Sequence, residues 1–228
     1  MRIEDLNWMD VEEYLKNDDR LMLVVGACEQ HGYLSMLSDV KIPLALADAA
    51  SKLTGVLVAP PMNFGSSPYF LTYPGTFSLR LSTLMDAAED ILRSAYGQGF
   101  KRVLVLNGHG GNSGLTARLA ELANQLPGIK LQWSAWWTTQ SVKQIAIRKE
   151  IKPNHANWLE AFQFNIVADL PGGDKTPPHV PSDILDAHTA REVYGDGSFG
   201  GRYRVSQETM QEIFEAALQD VLQLLKFE

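Results

Sequence analysis

The chain of 228 residues contains one cysteine, Cys28, so it cannot form an intrachain disulfide. It also lacks any apolar run near the roughly 18 residues of a membrane helix; the longest are short stretches such as LMLVVGAC at 21–28. The opening MRIEDLNWMD has neither the basic nor the apolar segment of a secretory signal. Positive charge is scarce: 20 Lys plus Arg face 27 Asp plus Glu, a formal charge of -7 that offers no general attraction for phosphate backbones or anionic lipid. These absences predict a soluble, cytoplasmic protein that binds neither nucleic acid nor membrane. With 45% hydrophobic and 21% charged residues, and ordinary amounts of glycine and proline, the composition excludes disorder and collagen-like repeats. At roughly 100–200 residues per domain, the length predicts one domain over 1–228.

Residues 21–28 (LMLVVGAC), 56–60 (VLVAP), 102–106 (RVLVL) and 129–135 (IKLQWSA) are short, nearly continuous apolar runs, the pattern of strands buried on both faces. Between them the period becomes helical. Leu84, Ala87, Ala88, Ile91, Leu92 and Ala95 share a face, as do Leu115, Leu119, Leu122 and Leu126, and later Ile213, Ala216, Ala217, Val221, Leu224 and Leu225. Strands alternating with such helices predict an α/β fold with a mostly parallel sheet covered on both sides. The segment 171–206 is rich in Gly, Pro and Asp and has no period. It is expected to form long loops, which in a compact domain are mobile or cover a site or a subunit contact.

Histidine placement is the most informative chemical feature. Of five histidines, His31, His109 and His155 stand just beyond element ends beside Gly, Asn or acidic neighbours. Open α/β sheets bind ligands outside the carboxyl ends of their strands, where Glu29-Gln30-His31-Gly32 and Asn107-Gly108-His109-Gly110-Gly111-Asn112 both fall. Glu29 and His31 are two apart, so in extended chain both point the same way. With Asp39, His109 and Glu160 they make a candidate set of mixed imidazole and carboxylate ligands, suited to divalent Zn, Mn or Fe. Two ions bridged by a carboxylate would bring the pKa of a shared water toward neutrality and polarise a carbonyl, which is hydrolase chemistry. Gly110 and Gly111, before the helix at 113–126, leave backbone N–H groups free to approach an oxyanion. Asn154 is placed to cap a helix carrying Glu160, and Ser38-Asp39 could equally be a helix cap.

Five segments, GACEQHG (26–32), YPGTFSL (73–79), GFKRVLVLNGHGGN (99–112), HANWLE (155–160) and VYGDGSFGG (193–201), together resemble the creatininase, or creatinine amidohydrolase, family of metal-dependent amidohydrolases. The resemblance implies a single three-layer α/β/α domain, assembly into homo-oligomers, often hexamers, a small-molecule amide substrate and a binuclear centre with two divalent metal ions. It assigns Glu29, Asp39 and His109 to one ion and His31, Asp39 and Glu160 to the other, with Asp39 bridging. Members with Glu two residues after the NGH histidine use it as a ligand; that place is Gly111 here, so the resemblance passes the role to Glu160. His155 would be proton donor or substrate contact.

The chain also departs from the family pattern. Members usually read EQHGPHLPxxTD, whereas EQHGYLSMLSD is one residue shorter and has Leu34 where a second histidine is expected. The common SxEH element appears as Ser67-Pro68-Tyr69-Phe70. Aromatic groups there predict an amide larger or less polar than creatinine, in a pocket lined by Tyr69, Phe70, Trp136 and Trp137, with Trp136 the better candidate because Trp133 and Trp137 would share a strand face. A dinucleotide site is excluded, since the glycines miss G-x-G-x-x-G spacing and the next strand lacks the ribose-binding acid. Deformylation, peptide cleavage and a catalytically silent binding protein remain as alternative functions.

Overall fold

The apolar runs form a wholly parallel four-stranded sheet in a computed structural model that describes residues 1–228. In chain order the strands are β1 (Arg20–Val25), β2 (Leu57–Val58), β3 (Arg102–Asn107) and β4 (Lys130–Ala135), and in space they run β2-β1-β3-β4. β1 and β3 pair from Arg20 opposite Arg102 to Val25 opposite Asn107, so their carboxyl ends finish level. The α-helices are α1 (Trp8–Leu15), α2 (Ser38–Thr54), α3 (Leu81–Gln98), α4 (Leu115–Gln125), α5 (Gln140–Arg148), α6 (Ala187–Tyr194) and α7 (Gln207–Leu224). None is long and apolar enough to cross a membrane.

Successive strand residues face opposite ways, and the core divides accordingly. Leu21, Leu23 and Val25 of β1, with Val103 and Val105 of β3, pack against Leu84, Ala88 and Leu92 of α3 and Leu115, Leu119 and Leu122 of α4. Met22, Val24, Leu104 and Leu106 face the other layer, Ala47 and Ala50 of α2 and Val221 of α7. This is the three-layer α/β/α arrangement with a mostly parallel sheet. Burial on both faces explains why β1, β2 and β3 are continuously apolar rather than alternating, whereas β4, expected to be buried likewise, is a half-buried edge strand with Lys130 exposed.

The segment 171–206 holds more than loops. It contains α6 and an antiparallel pair, β5 (Asp174–Lys175) with β6 (Gly201–Arg202). Asp186 starts α6 by accepting the N–H groups of His188 and Thr189. Only Ala190 and Tyr194 of that helix are buried, too few to leave a readable period.

Two glycines set the level of the site. A Cβ on Gly108, just past β3, would lie 1.8 Å from the Asp39 carbonyl oxygen, and one on Gly26, just past β1, 2.5 Å from it. The first turn of α2 therefore abuts both strand ends, holding Asp39 above the gap between β1 and β3.

Candidate metal centre

Six polar side chains meet there. Glu29 and His31 follow β1, Asp39 lies in the first turn of α2, His109 follows β3, and His155 and Glu160 come from the loop after α5. Ligand atoms of Glu29, Asp39 and His109 all lie within 4.8 Å of one another, and those of His31, Asp39 and Glu160 form a second such set. Asp39 belongs to both, its Oδ2 3.0 Å from His109 Nδ1 and its Oδ1 3.1 Å from His31 Nε2. Glu160 Oε1 stands 3.7 Å from His31 Nε2, and Glu29 Oε2 3.5 Å from His109 Nε2. A third set joins Glu29 and His31 to His155.

The donor set fits divalent cations. Glu29 Oε2, His31 Nε2 and Asp39 Oδ2 are buried without a hydrogen-bond partner, despite these close approaches. Burying an unpaired polar atom costs about 1–3 kcal/mol, so three aimed into one space call for a shared positive partner. The outer nitrogens agree with this. His31 Nδ1 donates to the Glu29 carbonyl at 3.1 Å, and His109 Nε2 to the Ser66 carbonyl at 2.8 Å. Each ring then keeps a lone pair toward the cluster, as in metal-ligating histidines.

Without a cation, protons do its work. Burial pushes the Glu29 carboxyl up to about 7, with His109 partly offsetting it. For His109, burial acts downward but Glu29 and Asp39 outweigh it and hold the ring at about 9. His31 is likewise raised well above its usual value by Asp39 and Glu160 against burial. Asp39 is buried yet held far below the carboxylate range by His31 and His109. Burial and the neighbouring His31 lower His155 to about 4.

Local sequence explains the precision of these placements. Asn107 donates to the His109 carbonyl and accepts from its N–H, while Asn112 donates to the Gly26 carbonyl and accepts from the Ser66 N–H. A Cβ at Gly111 would lie 2.0 Å from the Ser66 carbonyl oxygen, so no side chain fits there, whereas Gly110 faces open space. Ala156, at φ 52, turns its N–H onto Glu160 Oε2 at 2.7 Å. Asn157, not Asn154, caps the 3-10 turn Trp158–Glu160. Neither Ser38 nor Asp39 is a cap: Leu37 occupies that position, and Ser38 Oγ donates to the Ser35 carbonyl. The short 32–39 loop still delivers Asp39, and Leu34 is buried, bridging to Ile166.

Glu29, Asp39, His109, His155 and Glu160 open onto a cavity of about 670 Å³, also lined by Ser66, Ser67, Tyr69, Phe70, Gly110, Gly111, Trp137, Tyr194 and Phe199. His31 lies beneath, fully buried. Trp136 does not line it. β4 ends at Ala135 and the chain turns into a 3-10 helix at Trp136–Thr138, which breaks the strand alternation assumed for these tryptophans. Trp136, 3% exposed, packs edge-on to Phe162 in the core, and Trp137 faces the cavity instead. Sequence reasoning also missed Gln30, which contacts His155, and Asn165, which bridges Ser38 Oγ and the Glu160 carbonyl at 2.9 Å each.

Known proteins share this arrangement of chain. The family model described as Creatininase: Creatinine amidohydrolase matches residues 4–225. Creatinine amidohydrolase of Pseudomonas putida is 27% identical over 253 residues, covering 99% of this chain and 96% of that protein. A 3-dehydro-scyllo-inosose hydrolase of Thermotoga maritima is 26% identical over 80% of this chain and 53% of its own length. The mycofactocin precursor peptide peptidase of Mycolicibacterium smegmatis is 34% identical over 40% of each. Among solved structures, a manganese creatininase superposes with a TM-score of 0.83 at 23% identity, covering 99% of this chain and 97% of that one. A zinc–zinc creatininase mutant gives 0.82 at 22%, over 99% and 96%. Because the family model spans nearly the whole chain and the fold agrees with it, the protein belongs to the creatininase family.

Proposed function

We propose that the chain is a divalent-metal-dependent amidohydrolase cleaving a C–N bond of a cyclic or linear non-peptide amide. The observation that carries this is the pair of ligand sets sharing Asp39, with buried ligand atoms left unpartnered. Glu29, Asp39 and His109 would hold one ion and His31, Asp39 and Glu160 the other; Zn, Mn or Fe suits such donors. When bound, such ions make water more acidic and polarise a carbonyl. The chain's own groups supply the rest. Backbone N–H groups at Gly110 and Gly111, ahead of α4, would stabilise charge developing on the substrate oxygen. His155 would pass a proton to the leaving nitrogen. Glu160 is both ligand and a wall of the reacting space. Tyr69, Phe70, Trp137 and Phe199 give the cavity an aromatic side that favours a substrate larger or less polar than creatinine.

Likeness to a peptide peptidase over 40% of the chain makes peptide cleavage the second reading. The protein should be purified without added metal, reconstituted with zinc or manganese, and assayed on lactams, linear amides, formamides and dipeptides. Turnover of lactams or linear amides, abolished by chelation, is expected. Activity confined to formamides or dipeptides would move the assignment to the alternative. Less than about one equivalent of metal with no turnover would make the chain a silent binding protein.

A further inference from the structure

We propose that Gln30 is a positioning residue that fixes His155 as its Nδ1–H tautomer, so that this histidine presents a proton donor, not a metal-binding lone pair, to the acidic cluster. Gln30 is 5% exposed, and both ends of its amide are committed to backbone groups. Its Oε1 accepts the Gly32 N–H at 3.0 Å, and its Nε2 donates to the Gly197 carbonyl at 3.1 Å. Exchanging the two ends would set donor against donor at Gly32 and acceptor against acceptor at Gly197, so the amide has one orientation. The remaining N–H of Nε2 points at His155 Nε2, 2.9 Å away. An amide nitrogen cannot accept, so His155 Nε2 carries the lone pair and Nδ1 carries the hydrogen. That Nδ1 faces Glu29 Oε1 at 3.7 Å.

The contrast with the other two rings sharpens the assignment. His31 and His109 each give their outer N–H to a carbonyl, which turns a lone pair inward. His155 meets an N–H donor outside, which turns its own N–H inward. Geometry alone would admit the set Glu29, His31 and His155 as a third ion site; the tautomer removes it. The imidazole is further held in plane by Phe70, stacked at 5.0 Å and 11°, and by Phe199 at 4.9 Å. Gly197 is glycine because a Cβ there would overlap the Gln30 side chain, at 1.7 Å from Oε1. The catalytic consequence rests on the hydrolase reading above, but the tautomer does not.

The full chain, labelled with 15N at histidine, reports each ring's tautomer through long-range proton–nitrogen correlations, with His155 identified by its loss in His155→Gln. Expected is an unprotonated Nε2 and a protonated Nδ1, unchanged when zinc is added. In Gln30→Glu, which places an acceptor opposite Nε2, that nitrogen should become protonated, whether the tautomer inverts or the ring gains a second proton, and kcat should fall about a hundredfold with KM altered less than about threefold. A protonated Nε2 in the wild type, a zinc-shifted Nδ1, or an unchanged pattern in Gln30→Glu would overturn the proposal. If Gln30→Glu does not fold, Gln30→Met replaces it, with a mixture of tautomers expected and a single retained Nδ1–H form counting against Gln30. A chain with the expected tautomer but neither bound metal nor turnover would sink the hydrolase reading and leave this one standing.

Discussion

Trp136 and Trp137 are neighbours with opposite duties. Trp136 fills the core between Ile42, Leu46 and Phe162, so Trp136→Ala should cost about 3–5 kcal/mol, read as a lowered urea midpoint. Trp137 is half-buried on the cavity wall, so Trp137→Ala should cost about 1 kcal/mol or less and act on KM. Equal losses of stability would reject this division. The metal-ligand candidates Glu29, His31 and His109 were legible in sequence, because the polar runs Glu29-Gln30-His31-Gly32 and Gly108-His109-Gly110 come just past apolar strands, where a sheet exposes its carboxyl ends. Gln30 and Asn165 were not. Their partners, Gly197 and Ser38, are far along the chain, and a buried amide bonding to distant groups leaves no local pattern.

At the scale of elements, the strap from β5 to β6 is fastened by one carboxylate. Asp196 accepts from Lys175 Nζ at 2.5 Å, the Tyr203 hydroxyl at 2.6 Å and the Ser198 N–H at 3.1 Å, and the next residue, Gly197, receives Gln30. Burial acts upward on the Asp196 carboxyl, but these donors outweigh it and hold it below its usual value of 3.8. A carboxyl lowered in the folded state stabilises above its unfolded pKa, and that contribution disappears as pH falls through the folded value. The urea midpoints of wild type and Asp196→Asn should therefore differ most near neutrality and converge well below about pH 4. A gap that does not change with pH would show that the strap is held by something else. β1, β2, β3, α3, α4 and α7 were readable because each buries a full stripe or both faces, and the half-buried β4 by its apolar run alone. α5 and α6 bury only a few side chains each, so their periods are lost among exposed residues.

For the whole molecule, the charge of -7 includes three carboxylates around one space, Glu29 and Asp39 buried and Glu160 half-buried. If cations bind there as proposed, removing them leaves the charge to be balanced by protons on His31, His109 and Glu29 itself, so chelation should lower the thermal midpoint as well as activity. A ligand at a hundred times its Kd contributes about 2.7 kcal/mol to the folded state. Asp39→Asn, which removes the charge of the proposed shared ligand, should abolish the difference between chelated and metal-loaded samples; a persistent difference would place the ions elsewhere.

The candidate ligands run along the chain from Glu29 to Glu160 and meet beyond the carboxyl ends of β1 and β3. A nascent chain emerging from the ribosome exposes its first donors long before Glu160 is synthesised, so no early fragment offers both candidate sets. On the proposed assignment a pair of ions could be loaded only once Glu160 has been made and folded into place, and a product truncated before it would lack the paired centre.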